Sequence, residues 1–239
     1  LANAGEVIET SRSNWQQLEQ SMLLLGHLRH DVYQPACVPL LTHERPEVLV
    51  TAAWLLHVMP QDPLGEPAAA VAQKHWEIMK RDSVSNPNFK AYDEQLVFLL
   101  HVAAYTKRTE LKDLCAEQFD KESLLDPDGR AVAMWTLGAL SEDSKDDALV
   151  GRFVERIFDD DPILPEFTTV RCGSALAIGL VGSANSIPAL ERAHAVYRVD
   201  TTLGRFVSIA LRALGEEPPP MPELKPVPIQ NWSVAPSSL

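Results

Sequence analysis

Cysteine is scarce in this sequence of 239 residues, and the three cysteines, Cys37, Cys115 and Cys172, lie far apart. An odd number at wide spacing argues against a disulfide framework and against a cysteine-based zinc site. Each cysteine has apolar neighbours in a helical pattern, which predicts a buried thiol rather than a reactive one. With 46% hydrophobic and 23% charged residues, the composition excludes a disordered or collagen-like chain.

Long apolar runs and basic residues are also in short supply. No apolar run approaches the about 18–20 residues of a membrane helix, so no membrane attachment is expected. The 33 acidic residues outnumber the 21 lysines and arginines, giving a net charge of −12, which argues against nucleic acid or anionic lipid as a partner. No secretory signal is visible, and a cytoplasmic protein is expected. Because the chain begins with Leu rather than Met, we expect a fragment or a processed form, and a signal peptide removed earlier stays open.

Apolar residues recur at the spacing of amphipathic helices along nearly the whole chain. The spacing i, i+3, i+4, i+7 is clearest over residues 96–103, 131–138, 150–157 and 207–214. Strand-like alternation of β-branched residues is missing, and proline and glycine fall mostly between the helical stretches. The sequence therefore predicts an all-α protein.

Two short polar motifs predict where helices begin. Asp126 is followed by Pro127, which suits an N-cap and a first-turn proline. Ser144 and Asp147 resemble a capping box with Asp in place of Glu. We therefore expect helices to start at these two sites.

A four-residue string that closes a helix recurs along the chain. It occupies residues 23–26, 54–57, 98–101, 135–138, 176–179 and 212–215. The mean interval is about 38 residues, which fits two helices per repeat and lies between the ~34 and the ~40–47 residues of known classes of helical repeat. The chain is therefore expected to consist of stacked helical hairpins, none of which buries its apolar face alone.

Around these strings the sequence resembles HEAT repeats, including the phycobilisome-lyase-like variety. The resemblance rests on a Pro-x-Leu or acidic turn, a Val-Arg pair and an Ala-rich helix that ends in Ala-Leu-Gly or a variant of it. It is carried by residues 39–53, 126–138, 159–179, 187–190 and 205–215. It covers roughly residues 14–216, and the unit at 86–123 departs most from the pattern.

The resemblance implies an all-α, right-handed superhelix, or solenoid, of about five to six helical hairpins over residues 1–216. Five second helices of the hairpins are expected at residues 32–41, 66–82, 109–122, 146–158 and 186–198. Equivalent depth is expected for four large side chains, Trp54, Phe98, Trp135 and Leu176. Because they lie on the apolar stripe, we expect core packing for them rather than an aromatic ligand groove.

The end of the chain has a different composition. Seven prolines occur in the 24 residues from Glu216 to Leu239, so helix is blocked and an extended proline-rich tail is predicted over 217–239. A linker, a docking peptide and a strap on the last hairpin are all compatible with this composition. The apolar residues Val227, Ile229 and Trp232 favour partial docking.

The histidines are the nearest approach to a metal site. His57 and His101 end equivalent helices, and His27 is one residue out of register. Zinc needs three or four ligands converging at about 2 Å, whereas stacked helices place equivalent residues roughly 10 Å apart. We therefore expect no metal and no cofactor.

Catalytic motifs are missing from the sequence. The HEAT-like deoxyhypusine hydroxylases repeat a His-Glu pair, and here that pair occurs once, at His43 and Glu44. The HEAT-like fold carries many functions, and the function expected is a non-catalytic scaffold or adaptor for protein–protein interaction. The alternative is a lyase or chaperone-like enzyme of the phycobilin-lyase type that acts on a tetrapyrrole-bearing protein.

The acidic character is strongest over residues 110–166, which contain 16 acidic and 6 basic residues. Acids at helix starts serve as caps, and this reading covers most of them. A second reading is an acidic rim that attracts a basic protein surface. Its candidate partner-binding residues are Asp146, Asp147, Asp159 and Asp160. Calcium is not favoured, because residues 159–161 lack the spaced ligands and glycine of a calcium loop.

Overall fold

Helices account for about 75% of the residues that the structure describes. The structure, a computed structural model, describes residues 2–10, 14–197 and 202–218. Within these residues there is no strand, so the predicted all-α class is confirmed. No helix in the described ranges is long and apolar enough to cross a membrane.

Twelve α-helices occur in the described residues, together with four 3-10 turns at Val38–Thr42, Ser83–Ser85, Thr109–Leu111 and Ala184–Ser186. The helices are α1 (Ala2–Thr10), α2 (Trp15–His27), α3 (Gln34–Cys37), α4 (Pro46–Val58), α5 (Asp62–Asp82), α6 (Phe89–Tyr105), α7 (Lys112–Glu117), α8 (Pro127–Leu140), α9 (Asp147–Ile157), α10 (Thr168–Val181), α11 (Ile187–Tyr197) and α12 (Thr202–Ala213).

The helices form two rows. In the first row α2, α4, α6, α8, α10 and α12 follow one another, and each packs against the next. In the second row α1, α5, α7, α9 and α11 pack against α2, α6, α8, α10 and α12 respectively. One large cluster of buried apolar side chains extends through the rows from α1 to α12, so neighbouring hairpins share their core.

Three of the predicted second helices are present and two are wrong. Those at 66–82, 146–158 and 186–198 correspond to α5, α9 and α11. The stretch 32–41 is broken into α3 and a 3-10 turn, because Pro35 and Pro39 cannot donate the hydrogen bonds of a continuous helix. The stretch 109–122 is helical only from Thr109 to Glu117, after which turns follow.

The first predicted helix start is confirmed and the second is shifted. The Asp126 carboxylate accepts from the Gly129 N–H at 2.7 Å. The capping box at Ser144 is wrong, because the N-cap of α9 is Asp146, which accepts from the Leu149 N–H at 3.0 Å. Lys145 has a φ of 54°, and this left-handed backbone prevents a helix from starting before it.

Small residues let α8 and α10 approach closely. A methyl group added to Gly173 would overlap the carbonyl oxygen of Ala131, and one added to Gly138 would overlap Cα of Ala177. A larger side chain at either glycine would therefore push the two helices apart. Gly151, on α9, is different, since an added methyl group would meet no atom within 4 Å.

A buried ion pair ties α8 to the segment that leads into α10. Arg130 donates two hydrogen bonds to the Glu166 carboxylate, at 2.9 and 2.8 Å, and the two side chains are 3% and 1% exposed. Arg130 Nε also donates to the carbonyl of Gln118 at 3.2 Å. Arg156 Nη1 lies 3.6 Å from the same carboxylate. The pair therefore joins α8, α9 and the segment between α9 and α10.

The cysteine prediction is confirmed: Cys37, Cys115 and Cys172 are all free and buried. The tail prediction lies almost entirely outside the described residues, which end at Pro218.

Candidate functional site: an apolar groove and an aromatic stripe

The four large side chains assigned to the core are not fully buried. Trp54, Phe98, Trp135 and Leu176 are each half-buried, and Trp54 and Phe98 pack against the core. They come from α4, α6, α8 and α10, so each successive helix of the first row leaves one large apolar side chain partly open to solvent. The expected core packing is therefore found for Trp54 and Phe98, while all four residues also form part of a surface.

Ring contacts connect this surface from one helix to the next. We call the six rings His27, Trp54, His57, Phe98, His101 and Trp135 the aromatic stripe. Ring centroids lie 5.4 Å apart for His27 and Trp54, and 5.6 Å apart for His57 and Phe98. The distance is 5.0 Å for His101 and Trp135. The stripe therefore crosses α2, α4, α6 and α8.

Two histidines of the stripe lie side by side, with ring centroids 4.6 Å apart. Burial, together with the neighbouring His101, lowers the pKa of His57 to about 4. Burial also lowers the pKa of His101, although its Nδ1 bonds the Val97 carbonyl at 2.8 Å. Both rings are therefore neutral near pH 7, and the stripe presents aromatic surface rather than positive charge.

Nδ1 of His57 is buried and has no hydrogen-bond partner. Among the described residues, no group of three or more His, Cys, Asp or Glu side chains is placed to hold a metal ion.

Beyond Trp135 the stripe opens into a groove between α8, α10 and α12. The groove has a volume of about 580 Å³, within the ~300–1,000 Å³ of small-molecule sites. Its walls are mainly apolar and are formed by Ala131, Val132, Trp135, Cys172, Leu176 and Phe206. Its lining comes from first-row helices, so the groove lies on a face of that row.

Polar groups stand at one end of the groove. Asp128, Thr168 and Thr202 belong to the first turns of α8, α10 and α12 and line this end. Among the described residues of the lining, Asp128 is the carboxylate, and none of them is a lysine or an arginine. The indole N–H of Trp135 is a further polar group of the lining. It donates no hydrogen bond within the described part of the chain. The groove thus offers an apolar trough with a few hydrogen-bonding groups.

No protein-family model matches the chain, and no curated protein sequence is significantly similar to it. The groove and the aromatic stripe are therefore the features of the protein that bear on its function.

The four predicted partner-binding acids fall into two separate pairs. Asp146 and Asp147 lie at the start of α9, and Asp159 and Asp160 follow its end. An α-helix of 11 residues spans about 16 Å at 1.5 Å per residue. The structure therefore does not bring the four carboxylates together in one site.

Each acid also has a partner inside the protein. Asp146 caps α9, and Asp147 accepts hydrogen bonds from Ser183 and Asn185, which lower its pKa. Asp159 lies between Lys121 at 2.6 Å and Arg156 at 3.3 Å.

Asp160 pairs with Arg171 at 2.7 Å but remains 63% exposed. Asp146 and Asp147 are exposed as well, whereas Asp159 is partly buried.

The groove is not predictable from the apolar spacing of single helices. Cys172, one of its walls, was expected only as a buried thiol, and no sequence motif marks Phe206. A usable signal was the combination of small residues at Ala131 and Gly173 with the large side chains of Trp135 and Leu176 one turn later. When small residues of two adjacent helices face each other and large residues follow one turn later on both helices, the surface between the large residues is a groove.

Proposed function

We propose that the protein is a non-catalytic scaffold that binds a segment of another protein along the aromatic stripe and the groove. The observation that carries the proposal is the series of half-buried large side chains on successive first-row helices. Soluble proteins rarely leave contiguous apolar patches open unless they bind something. Aromatic anchors in such a patch are typical of binding hot spots.

The finer architecture is part of the proposal. A HEAT-like solenoid accounts for the alternation of the two rows and for the interval of about 38 residues between equivalent strings. In such an arrangement the first row lines an extended surface that a long segment follows from helix to helix. The partial burial of Trp54, Phe98, Trp135 and Leu176 supports this assignment.

The charge of the chain favours a partner with basic residues. The net charge is −12. Asp128 lines one end of the groove. Asp160 is exposed and precedes α10, the helix that forms a second wall of the groove. Exposed acids of this kind mainly raise the association rate and are screened by salt. We therefore propose a partner segment that combines apolar residues with lysine or arginine.

The test compares a groove variant with a matched surface variant. A partner captured from extract is purified and titrated against the wild type, Phe206→Asp and Val84→Asp. Phe206 is a wall of the groove, whereas Val84 is 80% exposed on the turn after α5. We expect Phe206→Asp to raise Kd at least about tenfold, equivalent to about 1.4 kcal/mol, and Val84→Asp to leave it unchanged. Equal affinity of all three proteins would contradict the proposal.

A second candidate function follows from the size of the groove. Its ~580 Å³ volume and its apolar walls with His101 at the edge also suit a flat conjugated ligand, as the lyase alternative requires. The test adds a linear tetrapyrrole and records its absorbance spectrum. A spectral shift that Trp135→Ala abolishes would favour the lyase, and an unchanged spectrum would leave the scaffold.

A further inference from the structure

We propose that the loop between α9 and α10 binds a protein whose surface carries an apolar cleft flanked by lysine or arginine residues. We call residues 159–167 the α9–α10 loop. None of these residues lines the groove, so this surface is separate from the one in the proposed function. Three properties of the loop support the assignment: exposed apolar side chains, a fixed backbone and an acidic concavity at its base.

The large apolar side chains of the α9–α10 loop are open to solvent. Ile163 is 92% exposed, Leu164 52% and Phe167 53%. The three lie within five consecutive residues, and the exposed Pro162 and Pro165 adjoin them. Single apolar residues scattered over a surface are ordinary, whereas a contiguous group of them marks an interaction site.

The backbone of the loop is fixed even though these side chains are exposed. Pro162 and Pro165 have no N–H, and each of the other seven residues of the loop donates its N–H to an acceptor within the protein. The Asp161 carboxylate accepts two of these hydrogen bonds, from Ile163 at 2.8 Å and from Leu164 at 3.0 Å. Since no N–H of the loop is left for water, the protein itself determines the path of this segment.

Ion pairs hold the loop on the helices beneath it. Lys121 Nζ lies 2.6 Å from the Asp159 carboxylate and donates to the Leu164 carbonyl at 2.6 Å. Near the other end, Glu166 is buried against Arg130. A segment that is already ordered loses little conformational entropy on binding, so more of its contact energy appears as affinity. The loop therefore presents its apolar side chains in a preformed arrangement.

An acidic concavity lies at the base of the loop. Its volume is about 760 Å³, and Leu164 and Phe158 contribute apolar surface to it. Its lining includes two basic residues, Lys121 and Arg156. It also includes five acidic residues, Asp120, Glu122, Glu155, Asp159 and Asp161. A basic side chain that enters this concavity therefore meets an excess of carboxylates beside an apolar anchor.

The charge that faces solvent around the loop is negative. Three cations pair with aspartates of the loop, and their side chains are at most 20% exposed: Lys121, Arg156 and Arg171. By contrast, Asp160 is 63% exposed, and Asp161 is exposed as well. Basic groups beside the cleft of a partner complement these acids. A second copy of the chain is disfavoured, because with a net charge of −12 like charges would meet.

The test uses a random library of disulfide-closed peptides displayed on phage, because a closed ring can combine a small apolar cleft with basic side chains. Peptides selected on the full chain are titrated against matched variants. Ile163→Ser/Leu164→Ser removes two anchors without adding charge. Val32→Ser/Val84→Ser makes the same kind of change at valines that are 69% and 80% exposed elsewhere. Phe206→Asp reports binding to the groove.

We expect a class of selected peptides that is rich in lysine or arginine and in apolar residues. Their Kd should rise at least about tenfold in Ile163→Ser/Leu164→Ser and stay unchanged in Val32→Ser/Val84→Ser and Phe206→Asp. A selection that yields no loop-dependent peptide, or only loop-dependent peptides without basic residues, would overturn the inference. A selection whose peptides all depend on Phe206 would overturn it while supporting the proposed function, so the two are judged separately.

The acids of the concavity are tested by kinetics with the same peptides. Glu122→Gln/Glu155→Gln removes two exposed carboxylates and leaves the apolar anchors in place. The association rate is expected to fall at least about twofold and to depend less on salt, with dissociation little changed. An association rate that neither salt nor this variant alters would overturn the assignment of a basic partner.

Hydrogen exchange and sedimentation of the full chain test the remaining premises. The N–H groups of Ile163 and Leu164 are expected to exchange at least about tenfold more slowly than in an unstructured peptide, and Asp161→Ala should remove this protection. Unprotected N–H groups would overturn the inference, because the projection would not be preformed. Self-association, or flotation with phosphatidylcholine vesicles, that Ile163→Ser/Leu164→Ser abolishes would also overturn it, since the occupant would be a second copy or lipid.

Discussion

The ion pair between Arg130 and Glu166 allows one prediction to be worked out from the structure. Both side chains are almost completely buried, and the hydrogen bonds between them are bidentate. Glu166→Gln keeps the shape and keeps an oxygen that accepts from the Phe167 N–H, as Oε1 does at 2.9 Å. It removes the charge that offsets Arg130 and, at 3.6 Å, Arg156.

The expected loss is set by the cost of an unpaired buried charge. Breaking a buried pair from one side costs about 3–5 kcal/mol, and the retained oxygen places Glu166→Gln at the lower end, about 3 kcal/mol. For a chain of this size, each kcal/mol lowers Tm by about 2–4 °C, so a fall of about 6–12 °C is expected. Exposed Glu122 provides the control, since Glu122→Gln should change stability by less than about 0.5 kcal/mol.

The assay is thermal and urea unfolding followed by far-UV circular dichroism, with a double variant to separate charge from packing. Arg130→Met combined with Glu166→Gln removes both charges and keeps the oxygen that accepts from the Phe167 N–H, so it should lose less stability than Glu166→Gln alone. The remaining loss is the Gln118 carbonyl, which Arg130 no longer satisfies and which costs about 1–3 kcal/mol. A free energy of unfolding for Glu166→Gln within about 1 kcal/mol of the wild type would refute this reasoning. A double variant that is less stable than Glu166→Gln would refute it as well.

Three further predictions concern stability, and chemical denaturation checks each of them. Gly173→Ala should lower the free energy of unfolding by about 1–3 kcal/mol, because its methyl group meets the Ala131 carbonyl. Gly151→Ala, whose methyl group meets no atom, should raise it by about 0.5–1 kcal/mol. A Gly173→Ala variant more stable than the wild type would contradict the close approach of α8 and α10. Burial and the nearby Asp126 carboxylate raise the pKa of Asp93 from 3.8 to about 7, so the folded state holds a proton that the unfolded chain releases. The free energy of unfolding should therefore decrease as the pH rises from about 4 to about 7. Asp93→Asn should remove this decrease. Replacing Leu137, which is 4% exposed, by Ala should lower the free energy of unfolding by about 2–5 kcal/mol. Unfolding close to that of the wild type would show that Leu137 does not pack between helices.

Helix type and most of the helix positions were predictable from the spacing of apolar residues. The regions that failed share a physical cause, which is that local signals compete there with proline or with long-range bonds. Pro35 and Pro39 break the stretch at 32–41. After Glu117 the chain turns, and its Gln118 carbonyl is bonded by Arg130 from α8. Neither outcome is visible in an apolar period alone.

The candidate site was harder to predict because it depends on what covers a helix. The spacing places Trp135 and Leu176 on the apolar side of α8 and α10, yet both are half-buried and line the groove. Whether such a residue is fully buried depends on whether another layer lies over it, and the period of one helix does not contain that information. The acids show the same limit, since the partners of Asp147 and Asp159 come from distant parts of the sequence.

The position of the groove in the row has a consequence for folding. Its third wall, Phe206, belongs to α12, the last helix of the described row, which packs against α10 and α11. When each helix packs mainly on its neighbours, a row unfolds most readily from its ends. The groove is therefore built partly on an end of the described row, which opens more readily than the middle of the row. Any segment bound there adds RT ln(1 + [L]/Kd) to the stability of that end, so binding and the local unfolding of α12 are one coupled equilibrium.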